Sequence, residues 1–211
     1  VYQVPSWVQT NSALSDLGSR AIHTDMKRRA LRKQDPAVLL DLSGIAKGFG
    51  VDRVAAYLED NGIGHYLIDI GGELRGRGWN QQGGIWRIGI ERPGHVPGTL
   101  QRIVRLNGHA LATSGDYRIY FEQDGERYSH ILNPVSGRSI RNSLASVTVL
   151  ADTAMRADAL STALMVMGLE EGMVLAKREN IAAFFIVTYP ASDGLVLRET
   201  ASPAFIPHLV S

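Results

Sequence analysis

The sequence predicts an α+β fold, in which helices and strands are mixed without strict alternation. The first observation is a pair of long segments with a helical apolar period, near residues 45–60 and 153–178. The second is a larger number of short segments that alternate apolar and polar residues, as half-buried strands do. The third is their order along the chain, which does not repeat strand and helix in turn and so argues against a doubly wound parallel sheet.

In the N-terminal part of the chain, helices are expected over residues 12–20 and 45–60. The second helix is the clearer one, because its apolar residues share one face and Gly62 follows it as a C-cap. Between the two helices, RRALRKQDPAVLLDL is expected to form two strands around a turn at Asp35-Pro36. A buried strand is expected in HYLIDIGGEL, which ends in a double glycine.

The C-terminal part combines strands with two helices. IWRIGIERP and TLQRIVRLN are expected to be strands, and YRIYFEQDGERYSHILNP a hairpin around Asp124-Gly125. Helices are expected over residues 153–167 and 169–178, interrupted near Gly168. The remaining expected strands are ASVTVL, IAAFFIVTYP and GLVLRE, the last two as a pair. No low-complexity linker separates these elements, so we predict a single domain over residues 1–211.

Composition excludes several classes of function. With 45% hydrophobic and 20% charged residues, the chain has the profile of an ordinary globular protein. A formal net charge of +1 with no long basic run gives no reason to expect a nucleic-acid partner. No apolar run approaches the roughly 20 residues of a membrane-spanning helix. The chain has no cysteine, which excludes disulfides, thiol catalysis and cysteine-ligated metals.

The segment DLSGIAKGFGVD places a carboxylate, glycines and a lysine at the start of a predicted helix. A helix N-terminus has free N–H groups and the positive end of the helix dipole, so a phosphate could bind there with Lys47 adding charge. The structural alternative is that Ser43 caps the helix and Asp41 ends a strand. The segment matches neither a Walker loop nor G-x-G-x-x-G, and both interpretations stay open on this segment alone.

Two further segments carry small residues or hard oxygen groups. In DIGGELRGRG, Gly71 and Gly72 would let the backbone approach a ligand closely, or would form only a bulged strand end. In TAMRADALSTALMVMG, Asp158 and Thr162 are four residues apart and share one helix face. A carboxylate with a hydroxyl suits Mg²⁺ or Ca²⁺, and Mg²⁺ takes few protein ligands beside phosphate and water. The alternative is a solvated polar face.

The segment TSGDYRIYF…YSHILNPVSGR contains a small polar turn, with Ser114 and Gly115, and a histidine. His130 stands in a strand pattern just before Asn133-Pro134, beside irregular backbone where functional sites tend to lie. Strand alternation would put His130 and Leu132 on one face. A single histidine is more often structural than catalytic, so both interpretations remain open.

Taken in order, DLSGIAKGFGVD, DIGGELRGRG, ATSGDYRIYF…GERYSHILNPVSGR and ASVTVLADTAMRADALSTALMVMG resemble the ApbE family of FAD:protein FMN transferases. The resemblance covers residues 37–206. It implies that FAD is the substrate, that Mg²⁺ is required, and that FMN passes to a Ser or Thr hydroxyl of an acceptor protein while AMP leaves. Hydrolysis of FAD to FMN and AMP is the alternative, and a non-catalytic flavin-binding module is a third interpretation.

The resemblance also implies roles for single residues. It makes His130 the catalytic histidine, and it places Ser161 where some members have an additional acidic metal ligand. The residues expected at the flavin nucleotide are Asp41, Lys47, Leu132, Gly71, Gly72, Ser114 and Gly115. The residues expected at the metal are Gly44, through its carbonyl oxygen, Asp158, Thr162 and Ser161.

Two more expectations follow from the resemblance. Family members generally carry a longer segment ahead of the DLSGIAKGFGVD region that supplies part of the flavin pocket. This chain is therefore expected to be an N-terminally shortened ApbE-like domain that binds FAD weakly. The family also implies a location in the periplasm or on a membrane anchor outside the cytoplasm, although no signal is visible in the chain.

Overall fold

The computed structural model describes residues 4–14, 18, 21–94, 98–115, 120–123, 126–191 and 194–210. The chain divides into two compact units, Val1–Asp41 with Ile119–Arg141 and Leu42–Arg118 with Asn142–Ser211. Helices and strands are mixed along it, so the predicted α+β class is confirmed. The single domain expected over residues 1–211 stays a prediction.

The helices and strands follow one another in a mixed order. In chain order they are α1 (Trp7–Leu14), β1 (Ile22–Asp25), β2 (Ala30–Lys33), α2 (Ala46–Asp60), β3 (Tyr66–Ile70), β4 (Glu73–Arg77), β5 (Arg87–Glu91), β6 (Leu100–Arg105), β7 (Ala110–Gly115), β8 (Tyr120–Gln123), β9 (Glu126–Ser129), β10 (Leu144–Ala151), α3 (Ala154–Met167), α4 (Leu169–Arg178), β11 (Ala182–Ala191), β12 (Gly194–Ala201) and a 3-10 turn at Ile206–His208. None of the helices in the described residues has the length and apolar character needed to cross a membrane.

Helix α1, in the first unit, begins earlier than the predicted residue 12. The cause is a capping box that the sequence prediction missed. The Ser6 N–H donates to Gln9 Oε1 at 2.9 Å, and the Gln9 N–H donates to Ser6 Oγ at 3.4 Å. The helix ends at Leu14, and residues 15–17 and 19–20 of the predicted helix lie outside the described residues.

The predicted pair of strands around Asp35-Pro36 is wrong. β2 pairs instead with the preceding strand β1. Asp25 makes the turn between them, because its Oδ1 accepts the N–H groups of Lys27 and Arg28, each at 3.0 Å. No strand follows Asp35 before α2, and Asp35 Oδ1 instead accepts the Ala37 N–H at 2.7 Å. The other predicted hairpin of this unit is present as β8 and β9, and its turn, Asp124-Gly125, lies outside the described residues.

The second unit is built on a six-stranded antiparallel sheet in the order β12-β11-β10-β7-β4-β3. Helices α2, α3 and α4 pack on one face of it. Alternate strand residues point to the other face, where Leu111, Phe184 and Ile186 join the β5–β6 hairpin in an apolar core. The Phe184 and Phe205 rings stack there at 5.4 Å. The helices and strands predicted from residue 45 onward in this unit are therefore confirmed.

Helix α2 has the limits that its apolar period predicts, but not the predicted start signal. Its N-cap position is Ile45 rather than Ser43, and Asp41 belongs to no strand. Its end is set by Gly62, which has a positive φ of 77° and donates its N–H to the Glu59 carbonyl oxygen at 3.0 Å. The predicted stop at Gly62 is thereby confirmed.

A polar network connects the C-terminal end of α2 to strands β3 and β4. The Tyr66 hydroxyl donates to Glu59, and Arg77 Nη1 lies 2.9 Å from the other Glu59 oxygen. Burial raises the pKa of Tyr66 to about 12, and the bond to Glu59 acts in the same direction. The same bond is the main cause that lowers the pKa of Glu59. The two groups therefore stabilise each other only while Tyr66 keeps its proton.

Tyr66→Phe is expected to make stability less sensitive to alkaline pH. The folded pKa of Tyr66, about 12, lies above its ordinary value of 10.0. Its contribution to the free energy of unfolding is thus complete below the ordinary pKa and lost as pH rises through the folded one. Urea unfolding should show that the free energy of unfolding falls more between about pH 9 and about pH 11.5 in the parent than in Tyr66→Phe. Equal losses would contradict this, and Tyr57→Phe, at an exposed tyrosine, is the control.

Candidate functional site

The start of α2 contacts helix α3 through three positions that are four residues apart, Gly44, Gly48 and Asp52. We call this contact the α2–α3 seam. Gly48 allows the closest approach, since a Cβ atom there would lie 2.3 Å from the Ala154 carbonyl oxygen. The Gly48 N–H also donates to Asp158 Oδ2 at 3.0 Å. The seam therefore holds the Asp158 carboxylate against the start of α2.

Asp52 holds the first turn of α3 at the other end of the seam. Its two carboxylate oxygens accept the N–H groups of Ala154 and Met155, both at 2.9 Å. These N–H groups belong to the first turn, where a helix has no internal acceptor for them. Arg75 Nη1 donates to the same carboxylate at 2.8 Å. The sequence prediction missed Gly48 and Asp52, and the only signal for them was their spacing of one helical turn.

Four side chains beside the seam form a group that we call the oxygen cluster: Asp158, Ser161, Thr162 and Ser114. Ser114 Oγ, on β7, lies 2.9 Å from Ser161 Oγ and 3.1 Å from Thr162 Oγ1. A Cβ atom on Gly44 would lie 3.7 Å from Thr162 Oγ1. Asp158 is only 4% exposed and Ser161 is fully buried. The alternative of a solvated polar face on α3 is therefore wrong.

The oxygen cluster presents hard oxygen atoms, which Mg²⁺ and Ca²⁺ prefer as ligands. It contains a single carboxylate, that of Asp158. Across the part of the chain that the structure describes, no group of three His, Cys, Asp or Glu side chains could hold a metal ion. A cation at the oxygen cluster would therefore take few protein ligands and complete its coordination with phosphate oxygens and water, as Mg²⁺ commonly does. The residues present fit such an ion.

Lys47 and Glu73 form an ion pair at the start of α2. Lys47 Nζ lies 2.8 Å from Glu73 Oε1 and 2.7 Å from Oε2, but only the first contact has the geometry of a hydrogen bond. The Glu73 side chain is 3% exposed, whereas that of Lys47 is 49% exposed. Burial raises the pKa of Glu73, the Lys47 ammonium opposes this rise, and the charge of Asp158 adds to it. The sequence prediction missed Glu73, although it directly follows the double glycine.

Gly71 and Gly72 make the turn of the β3–β4 hairpin rather than a bulged strand end. Their φ angles of 64° and 100° lie in the region that favours glycine. The Gly72 N–H donates to Asp69 Oδ1 at 2.9 Å. A Cβ atom on Gly71 would lie 3.5 Å from Lys47 Cδ, so the turn borders the lysine side chain. Hairpin geometry alone explains both glycines, and their contact with a ligand stays a prediction.

His130 and Leu132 lie in the first unit, in the segment after β9. That strand ends at Ser129, so the predicted strand alternation of His130 and Leu132 is wrong. The Ile131 N–H donates to Ser129 Oγ at 3.1 Å, and Leu132 forms an isolated bridge with Ser139. Both predicted residues are exposed. The segment is thus a short, hydrogen-bonded turn region that carries an exposed imidazole.

The structure brings together only some of the predicted site residues. Those within one region of the second unit are Gly44, Lys47, Gly71, Ser114, Asp158, Ser161 and Thr162. Gly72 adjoins Gly71 in the hairpin turn. Ser114 and Gly115 pair with Val147 and Ser146 at the end of β7, so the predicted polar turn at these two residues is wrong. Asp41, His130 and Leu132 belong to the first unit, and their place at the same site stays a prediction.

Comparison with known proteins gives a consistent result. A family model described as the ApbE family matches residues 1–185. A Vibrio cholerae protein named FAD:protein FMN transferase is 47% identical over 209 residues, which cover 97% of this chain and 61% of the relative. The structure of the flavin transferase ApbE from Vibrio cholerae matches with a TM-score of 0.86 and 44% identity, over 99% of this chain and 64% of that chain.

A solved structure with lower sequence identity has the same fold. The ApbE protein from Thermotoga maritima matches with a TM-score of 0.83 and 31% identity, over 99% of this chain and 65% of that chain. The chain spans about three fifths of the length of the curated relatives, with 61% coverage of the Vibrio cholerae protein.

Proposed function

Because this chain belongs to the ApbE family, we propose that it transfers the FMN part of FAD to a Ser or Thr hydroxyl of an acceptor protein and releases AMP. The observation that carries the proposal is the oxygen cluster. Its Asp158 carboxylate is bonded to Gly48, the residue that follows Lys47 in α2. Hard oxygens and a lysine at the start of a helix suit a pyrophosphate that carries a metal ion. The names of the relatives support the same chemistry.

The proposed reaction is a displacement at phosphorus. The acceptor hydroxyl oxygen bonds to the phosphorus on the FMN side, the bond from that phosphorus to the bridging oxygen breaks, and the bridging oxygen leaves with AMP. His130 is proposed to accept the hydroxyl proton, a role that histidine suits at neutral pH. General-base assistance of this kind is typically worth about 10²–10⁴-fold in rate.

The other predicted residues are proposed to bind and orient the substrate. Mg²⁺, when bound, would neutralise charge on the pyrophosphate oxygens. The residues proposed to hold it are the Gly44 carbonyl oxygen and the side chains of Asp158, Thr162 and Ser161. The residues proposed to contact the flavin nucleotide are Asp41, Lys47, Leu132, Gly71, Gly72, Ser114 and Gly115. From the family resemblance we also propose that the protein acts outside the cytoplasm.

Release of AMP from FAD tests the proposed function. The chain is incubated with FAD and Mg²⁺, with and without a protein that its relatives flavinylate, and AMP and covalent flavin are measured. Transfer predicts AMP only when the acceptor is present, together with flavin on the acceptor. AMP without an acceptor would instead indicate a pyrophosphatase. FAD binding with no AMP in either case would indicate a flavin-binding module.

Asp158→Asn is expected to weaken Mg²⁺ binding more than Thr162→Val does. Asparagine keeps an acceptor for the Gly48 N–H but loses the anionic charge, and an anion contributes more to a hard cation than a neutral hydroxyl. We expect a loss of about 10–100-fold for Asp158→Asn and a smaller one for Thr162→Val. Titration calorimetry of Mg²⁺ in the presence of AMP measures both. An unchanged affinity in Asp158→Asn would show that the Asp158 charge does not contribute to metal binding.

A further inference from the structure

We propose that Glu73 sets the charge of the pyrophosphate site, so that the site selects a pyrophosphate already carrying a divalent cation over a metal-free one. Glu73 would act by neutralising Lys47. The inference rests on the proposed function, because it assumes that a nucleotide binds beside Lys47. In this proposal Glu73 influences which ligand binds by acting on Lys47, and it does not contact the substrate itself.

The geometry places the carboxylate behind the ammonium. Glu73 is 3% exposed and Lys47 is 49% exposed, so only the lysine is open to a ligand. Both carboxylate oxygens lie within 2.8 Å of Nζ. An ammonium has three N–H donors, so its bond to Glu73 leaves capacity for a phosphate oxygen. A ligand would therefore meet a hydrogen-bond donor that belongs to a pair without net charge.

The charge balance favours a ligand that brings its own cation. Coulomb attraction falls only with the inverse of distance, so a carboxylate in contact with Nζ cancels roughly half of the attraction of Lys47 for an anion bound on the other side of the ammonium. The nearby Arg75 is engaged by Asp52 and Glu59. The Asp158 carboxylate accepts the N–H of Gly48, the residue directly after Lys47, so an anion stands beside the pair. A metal-free pyrophosphate would thus meet a neutral pair beside an anion, whereas a bound cation would be attracted to Asp158.

Stability alone does not explain a half-buried ion pair at this position. Burial removes the Glu73 carboxylate from water, and well-packed apolar residues in place of a buried ion pair are often as stable or more stable. Glu73 Oε2 also has no hydrogen-bond donor among the described residues. The burial of the carboxylate and its oxygen without a donor each cost folding free energy. The pair is better explained as an arrangement that controls charge at the start of α2.

A set of four proteins varies the charge of the pair. The parent and the double variant Lys47→Met/Glu73→Gln have a neutral pair, Glu73→Gln leaves one positive charge, and Lys47→Met leaves one negative charge. The probe is ADP, which carries a pyrophosphate but no flavin, and calorimetry measures its affinity once with Mg²⁺ and once with EDTA. Glu199→Gln is the matched control, because it breaks the Arg102–Glu199 ion pair of 2.6 Å, which lies on strands β6 and β12.

Without metal, ADP affinity is expected to follow the net charge of the Lys47–Glu73 pair. Glu73→Gln should bind most tightly and the parent next. The double variant should bind somewhat more weakly than the parent because it lacks the Lys47 donor, and Lys47→Met should bind most weakly, with about tenfold for each unit of charge. The ratio of affinities with and without Mg²⁺ should be smallest in Glu73→Gln. Lys47→Met should melt below the parent, and the double variant should recover, because the single change leaves a buried carboxylate unpaired. If Lys47→Met does not fold, the order of the other three proteins still decides the result.

The outcomes separate the two proposals. Metal-free affinities that do not follow the order, or a Glu73→Gln variant with the same Mg²⁺ requirement as the parent, would overturn the role of Glu73 and leave the proposed function intact. Failure of every protein to bind ADP even with Mg²⁺ would overturn the proposed nucleotide site, and the role of Glu73 with it. The inference would also be overturned if Glu199→Gln raised the metal-free ADP affinity as much as Glu73→Gln does, since the overall charge of the protein would then explain the effect.

Discussion

His130→Asn is expected to slow FMN transfer by roughly 10²-fold or more, the scale of general-base catalysis, while folding and FAD affinity stay close to those of the parent. His130 is exposed and stands outside any strand, so its ring does not fill the core. Its removal should therefore cost little stability. Asparagine keeps hydrogen-bonding groups of similar size but cannot accept the proton of the attacking hydroxyl.

Single-turnover transfer rates and melting temperatures, measured side by side, test the role of His130. His23→Asn is the control, because His23 is another exposed histidine of the first unit and has no proposed role. Comparable rates in His130→Asn and the parent would end the general-base assignment. A large loss of melting temperature would show a structural histidine instead.

Gly48→Ala is expected to lower the free energy of unfolding by about 3 kcal/mol, although alanine normally stabilises a helix by up to about 1 kcal/mol relative to glycine. The added Cβ atom would lie 2.3 Å from the Ala154 carbonyl oxygen and 2.7 Å from Met155 Cα. Both are backbone atoms, so α3 itself must move. That movement would also stretch the hydrogen bond from the Gly48 N–H to Asp158.

Gly50→Ala in the same helix is the matched control. Among the described residues, a Cβ atom there meets only Ile70 Cδ1, at 3.8 Å, which is an ordinary contact. Helix propensity should therefore dominate, and the change should stabilise the protein by roughly 0.5–1 kcal/mol. Urea denaturation of both variants gives the comparison. Equal stabilities of Gly48→Ala and Gly50→Ala would contradict the close contact at the seam.

Local patterns predict the helices of the second unit and most of its strands, but not β4 and β7. The signals for α2 are local in the sequence: the apolar period of the helix itself and the glycine, Gly62, that follows it. The structure confirms both the helix and its end. The N-terminal errors have a different cause. Single polar side chains decide that region: Ser6 starts α1, and Asp25 makes the turn that pairs β2 with β1. A pattern of apolar residues contains no information about such side-chain to backbone bonds.

The candidate site was predicted where its residues are close in sequence. The four-residue spacing of Asp158 and Thr162 predicts a shared face, and both contact the seam. Glu73, Gly48 and Asp52 were missed because their partners are distant in the chain. Glu73 can be recognised only when Lys47, 26 residues away, is known to lie beside it. The family resemblance supplies ligands by analogy, but it does not supply these supporting contacts.

The α2–α3 seam has a consequence for how the protein is made. Its hydrogen bonds join Gly48 to Asp158 and Asp52 to Ala154, which are 110 and 102 residues apart. Closing such long loops costs chain entropy before any contact compensates for it, so seam formation is expected to come late in folding. A nascent chain that has not yet emerged beyond β10 has α2 but no α3. The oxygen cluster would then be absent until α3 is synthesised, and the metal-nucleotide binding that we propose for it would arise only once the seam has formed.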